Sequence, residues 1–303
     1  MAITTTQTHP KLLWPGLLKV WSESMHGDWD EEYSKIFDSI SSAKAFEEMQ
    51  QVTYYGLAPE KAQGAALTYD AEQQGFNKRF THVAYALGFQ ITREAKDDLQ
   101  YVEVATQRIK AVSRSMQQTV ETVDANHLNR ATNASYTGAD GVVLLSTAHP
   151  RINGGTDSNK LSTAADLSET SIEDLVVQMS KAVDDRGLKI QVKPQSLVIH
   201  PNDFFNANRI VGSNLQNDTA NNAINVIRGQ GVFPGGILVN HYLSDTDQWF
   251  IRSNVPGLFH LWRTKPEFAN DDDFATKNDL YSGYMRFSSG WSDWRAIWGS
   301  EGA

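Results

Sequence analysis

The residues with chemistry to offer are scattered along the chain. Gly229-Gln230-Gly231-Val232-Phe233-Pro234 begins like a dinucleotide-binding loop. Such loops use three glycines to bring backbone N–H groups against a pyrophosphate at a helix N-terminus, but here Pro234 holds the third glycine position and no helix is signalled after it. Asp271-Asp272-Asp273 with Asp279 offers the clustered carboxylates that a hard cation takes. The alternating ligand loop with its closing glutamate is missing, so a solvated acidic turn is expected. His149, His200 and His260 lack metal-ligand spacing and read as packed or surface histidines. Trp291, Trp294 and Trp298 would make a stacking platform only with basic residues interleaved, and instead read as indoles packed into the core. There is no Gly-Lys-Ser/Thr phosphate loop and no His-Glu-x-x-His pair, and Ser213 and Ser289 lack the flanking glycines of a nucleophile elbow. The absence of cysteine removes disulfides, thiolate metal sites and a cysteine nucleophile. No cofactor, metal or enzymatic activity is expected. Asp157, Asp184 and Asp185 carry the rival reading, a hydrolase with a carboxylate site.

The elements that would position these residues belong to a folded protein. The 303 residues suffice for a substantial core, and 40% hydrophobic with 21% charged residues is a globular composition. The net charge of -9 argues against a protein that works by gripping phosphate backbones. The sequence starts without a basic and apolar secretory leader and contains no run near the ~18 apolar residues of a membrane span, so an unexported protein without a membrane partner is expected.

Residues 1–55 hold short amphipathic pieces such as those around Trp14 and Trp21, with large side chains to bury but no period of their own. They read as an arm lying either on the chain's own domain or on a neighbour. Residues 56–92 begin polar and glycine-rich. From Phe76 to Ile91 they turn aromatic and β-branched, as one arm of a long hairpin that needs a surface beneath it. Between Phe89 and Tyr136 there is no glycine or proline, and Leu99, Val102, Ala105, Ile109, Val112, Met116, Val120 and Val123 recur at steps of three and four. The spacing predicts a helix from Arg93 to about Arg130, packed across a sheet. A polar loop follows over 137–168. A helix is then expected from a Ser171-x-x-Asp174 start, a buried strand at Ser196–His200, and a helix capped by Asp203. Strands are expected at Gly236–Asn240, Trp249–Ile251, Leu258–Trp262 and Tyr281–Trp298. The fold class is α+β.

This order of elements resembles the major capsid proteins of tailed bacteriophages, of the Hong Kong 97 type, and especially the major head subunits of Mu-like prophages. Three stretches carry the resemblance: residues 81–95 (THVAYALGFQITREA), 197–203 (LVIHPND) and 285–300 (MRFSSGWSDWRAIWGS). They are similar to the return of the family's extended loop, its axial-domain strand and turn, and its closing strand. The resemblance implies an N-terminal arm over 1–55 and an extended β-hairpin loop over 56–92. It further implies a peripheral domain with a spine helix over 93–164, an axial domain over 165–255 and closing peripheral strands over 256–303. The implied function is a shell subunit that self-assembles into hexamers and pentamers of an icosahedral head. The implied partners are further copies of itself, a portal, separate scaffolding or decoration proteins, and packaged double-stranded DNA touched without specificity. It would reside in the virion capsid after assembly in the host cytoplasm. A nanocompartment shell of the same fold is the nearer alternative. Trp14 and Trp21 on the arm and Lys78, Arg79 and Phe80 on the loop are the candidate subunit contacts. Many relatives carry a removable N-terminal scaffolding segment; here the arm begins at once, so scaffolding is expected to be either separate or absent. No cross-link is predicted for Lys78.

Overall fold

The computed structural model describes residues 14–27, 29–97, 101–216 and 223–303. In chain order, α1 (Trp14–His26) and α2 (Tyr33–Ile36) lead to β1 (Asp38–Ser41), β2 (Phe46–Val52), β3 (Gln74–Thr81) and β4 (Val83–Ile91). Next come α3 (Arg93–Asp97), α4 (Tyr101–Asn129), the two-residue strands β5 (His149–Pro150) and β6 (Thr156–Asp157), α5 (Glu169–Ser180) and β7 (Pro194–Ile199). The chain continues through α6 (Phe204–Gly212), α7 (Val226–Gly229), β8 (Ile237–Val239), β9 (Trp249–Ser253), β10 (Leu258–Asp272), β11 (Asp279–Trp291) and β12 (Ile297–Ser300).

The expected long helix is α4, 29 residues and roughly 43 Å long at 1.5 Å per residue. Its stripe of Ala105, Ile109, Val112, Met116 and Val120 is buried, as the period of three and four required. Leu99 and the side chain of Val102 lie outside the described residues. The stripe packs on a sheet of order β1-β10-β11-β4, in which β1 runs parallel to β10 and the other pairs are antiparallel. Leu17, Trp21 and Met25 of α1 join the same core beside Trp262, Phe268, Tyr281, Met285 and Phe287. The arm helix therefore completes its own domain. Close packing there depends on Gly283, where a Cβ would sit 2.4 Å from Met116 Sδ and 3.0 Å from Trp21 Cη2.

A second sheet, of order β12-β9-β7-β8, is covered by α5, α6 and α7. Its strand β7 is buried from Ser196 to Ile199, pairing parallel to β8 and antiparallel to β9. A third cluster, with Phe37, Leu128, Leu144, Leu145, Phe250 and Trp291, joins the two halves.

Four local expectations are corrected. Phe76–Ile91 is not one arm of a hairpin: β3 pairs with β2, while β4 pairs with β11 in the large sheet. The chain changes sheets at His82, whose buried ring bonds the hydroxyls of Ser42 (3.1 Å) and Ser288 (3.0 Å). The stretch Tyr281–Trp298 likewise divides into β11, a 3-10 turn at Trp294–Ala296, and β12 in the other sheet. Helix α5 starts one turn earlier than expected, with Ser168 as N-cap and Ser171 closing the capping box. Asp203 makes no side-chain cap; His200 Nδ1 instead accepts the Asn202 N–H across a 3-10 turn.

Candidate subunit-interaction surfaces

The hairpin β2–β3 is closed by Thr53 and Gln73: the Thr53 N–H donates to the Gln73 carbonyl at 3.0 Å, and the Gln73 N–H donates to Thr53 Oγ1 at 2.9 Å. Beyond them, residues 54–72 form no helix or strand. Their apolar side chains face water: Tyr69 is 90% exposed, Leu57 82% and Tyr54 78%, with Tyr55 and Leu67 also exposed. Large apolar groups grouped on one exposed segment make it a candidate interaction surface.

The segment is nonetheless held in place. Asp70 accepts hydrogen bonds from the Gly56 N–H (2.8 Å) and Arg186 (2.6 Å), and Arg186 also donates to the Ala71 carbonyl. The Gly56 and Ala71 N–H groups, with Arg186 beside them, hold the Asp70 carboxyl below the usual carboxylate range. Gln51 reaches Asp185 at 2.9 Å.

Of the five side chains expected at subunit contacts, two lie inside the chain's own core. Trp21 is 5% exposed and stacks on Phe268 at 5.1 Å, and Phe80 is 3% exposed and faces Gly290. Their bulk anchors arm and hairpin to this chain. Trp14 belongs to α1, and its side chain lies outside the described residues. Arg79 is exposed, paired with Glu48 at 2.7 Å and stacked over Phe46 at 4.2 Å. Lys78 is half-buried, donates to the Thr137 carbonyl at 3.2 Å and lies 5.3 Å from the Trp291 ring centre. Burial pushes its ammonium below the usual lysine range, partly offset by Asp140. The exposed loop residues Tyr54, Tyr55, Leu57, Leu67 and Tyr69 were missed by sequence reasoning, because they follow no period. The available signal was large apolar residues within a glycine-interrupted polar stretch.

A buried carboxylate helps to fasten the arm. Glu121 of α4 is 2% exposed and accepts the N–H groups of Tyr33 (2.9 Å) and Glu32 (3.0 Å) and the Trp29 indole (3.0 Å). It thereby satisfies donors at the start of α2. Burial pushes its carboxyl up to about 7 despite these donors. Glu32 continues the chain of contacts to the His241 backbone N–H at 2.9 Å.

The histidines and carboxylates weighed for catalysis have structural partners. His149 bonds Asp140 at 2.6 Å and Asn159 at 3.1 Å and stacks on Trp294, while His260 bonds Asp124 at 2.7 Å; neither ring is exposed. Asp157 accepts from Arg151, Asp185 from Gln51 and Arg295, and Asp184 from the Arg186 and Leu188 N–H groups. Trp291, Trp294 and Trp298 are buried.

Residues 77–300 match the family model described as phage capsid protein. The chain belongs to the phage capsid protein family. Among solved structures, this capsid protein is similar to the virus-like particle from Pyrococcus furiosus, with TM-score 0.56, 13% identity, and coverage of 95% of this chain and 98% of that one. It is also similar to the procapsid of bacteriophage JBD30, with TM-score 0.53, 14% identity and coverage of 98% and 76%. The capsid of an empty GTA particle gives TM-score 0.56, 13% identity and coverage of 88% of both chains. No curated protein sequence matches the chain. At these identities the likeness shows the fold, which is the α+β, Hong Kong 97-type architecture of capsid shell subunits.

Proposed function

We propose that this capsid protein is the head subunit of a tailed phage, assembling into hexamers and pentamers that close an icosahedral shell around double-stranded DNA. Its arm (1–55), which contributes β2, is followed by an extended loop (56–92) that holds the exposed segment and β3. The large sheet with α4 as spine forms the peripheral domain, and the sheet centred on β7 the axial domain. The observation that carries this reading is the loop at 54–69, with five large apolar side chains in water. Burying each on a neighbour is worth roughly 1.5–3 kcal/mol, which across many subunits offsets the entropy of association. Arg79 on the same hairpin, with Lys78 at its base, is the charged contact that sets register. A net charge of -9 suits a container that must hold DNA without adhering to it. A portal and separate scaffolding or decoration proteins complete the set of partners, and assembly takes place in the host cytoplasm. The family match favours a phage shell over a nanocompartment of the same fold.

The test is expression alone and with neighbouring genes, followed by size-exclusion chromatography and electron microscopy. Closed shells of uniform diameter are expected, with a Tyr54→Ser, Tyr55→Ser, Tyr69→Ser variant that keeps the wild-type unfolding midpoint but stays as free subunits or capsomers. A wild-type protein that never exceeds a small oligomer under either condition would contradict the reading.

A further inference from the structure

A second unpartnered feature lies at the base of the hairpin, where Lys78 of β3 and the last turn of α4 line one cavity. A cavity of about 380 Å³ is lined by Lys78, Tyr85, His127, Arg130, Tyr136 and Trp291. Tyr85, Tyr136 and Trp291 give its wall three aromatic rings, and two cations stand in it. Arg130 lies 4.4 Å over the Tyr136 ring, and Lys78 faces Trp291. Among the described residues no carboxylate comes within 4 Å of either cation. Asp140, which acts on Lys78 through space, is committed to His149. His127 bonds Ser289 at 3.0 Å, and burial pushes its pKa down to about 4, leaving it neutral at pH 7. The cavity thus suits a carboxylate next to an aromatic ring, since Lys and Arg take the charge while Trp and Tyr take the ring.

The same chain presents that combination elsewhere. The β10–β11 hairpin ends in Asp271-Asp272-Asp273-Phe274, and Phe274 is 87% exposed. Asp273 is used by the turn, accepting from Thr276 Oγ1 at 2.6 Å and from the Ala275 N–H at 3.0 Å. Among the described residues, Asp271 and Asp272 have no ion-pair partner. Lys277 lies over the Phe274 ring at 3.9 Å, holding the ring at the tip. The tip cannot fill its own cavity. The 13 residues of β11, roughly 40 Å of strand, separate the turn from Trp291.

We infer that the acidic-aromatic tip, Asp271, Asp272 and Phe274, docks into the Lys78–Arg130 cavity of a second copy of the chain. The contact is heterologous, with different surfaces on the two copies, so it propagates around a ring or across a shell instead of ending at a dimer. It rests on the proposed shell function and assigns one of that shell's contacts to particular side chains. It is separate from the exposed loop at 54–69.

A charge exchange tests it. The tip variant Asp271→Lys, Asp272→Lys alters only exposed side chains, and is expected to lower shell yield by about tenfold or more, since it sets like charges against each other. The cavity variant Lys78→Glu, Arg130→Glu is expected to do the same. Carrying both pairs in one chain restores yield, with thermal unfolding of each variant confirming that it folds. A tip variant that assembles as well as wild type would overturn the inference, as would folded single variants whose combination is not rescued. Should the wild type itself make no shells, the shell reading fails, and a direct binding measurement decides the docking. For that, a cyclised peptide of residues 270–279 is titrated onto the protein by calorimetry. Binding that weakens with salt and vanishes in the cavity variant upholds the contact; no binding to the wild-type protein overturns it.

Discussion

Converting Glu121 to glutamine should change how stability depends on pH more than it changes stability itself. In the folded chain this carboxyl titrates near 7, against an ordinary value of 4.5. The folded state therefore keeps a proton between about pH 4.5 and 7 that the unfolded chain has released. Stability then falls as pH rises through that window and is level above it. The interval corresponds to about 3 kcal/mol. Glutamine has no such term, but its amide NH2 opposes one of the N–H groups that the carboxylate satisfies, at a cost of roughly 1–3 kcal/mol. At pH 4.5 the wild type is therefore the more stable by that amount, and the gap closes or reverses by pH 8. His127 works with the opposite sign: its pKa is pushed down by burial, so its contribution falls as the pH is lowered. It is common to both proteins and cancels in the difference. Urea unfolding of the purified subunit, followed by tryptophan fluorescence from pH 4.5 to 8, reads the gap directly. A gap that is independent of pH, or that widens as pH rises, would show that the three donors outweigh burial, and would refute the reasoning.

Three further outcomes follow from the packing. Gly283→Ala puts a methyl group against Met116 and Trp21 and is expected to cost about 1–3 kcal/mol in urea unfolding, and the double variant with Met116→Ala is expected to lose less than the sum of the two single changes. Asp124→Ala leaves the His260 ring buried without its hydrogen-bond partner. It is expected to cost roughly 1–3 kcal/mol, visible by calorimetry as a melting point lower by roughly 2–5 °C. Arg186→Ala removes the clasp on Asp70 and Ala71. Global stability should change by less than about 1 kcal/mol, because the bond is largely at the surface, while limited proteolysis within residues 54–72 becomes several-fold faster.

The parts of the fold legible in the sequence are those set by local period. The stripe of α4 announces itself because a helix buries every third or fourth residue, and β7 because its half Leu197-Val198-Ile199, buried on both faces, is apolar without a break. What stayed hidden was decided by partners distant in sequence. Residues 74–91 keep a strand-like character throughout, and only the pairing of β3 with β2 and of β4 with β11 turns one strand into two. Nothing local to His82 says that Ser42 and Ser288 will meet there. Trp21 belongs to an arm with no period of its own, and its fate depends on the absent side chain of Gly283 in a strand some 260 residues away. The interaction surfaces were the least legible. Tyr54, Tyr69 and Phe274 differ from buried aromatics only in exposure, and the cations Lys78 and Arg130 become one feature only when the fold brings them to one cavity.

The most direct measurement is a cryo-electron-microscopy reconstruction of the assembled particle at side-chain resolution. An icosahedral shell is predicted, with Tyr54, Tyr55 and Tyr69 buried against an adjacent subunit and Trp21 and Phe80 still inside their own. A particle in which residues 54–69 touch only their own chain, or a protein that forms no shell, would contradict it.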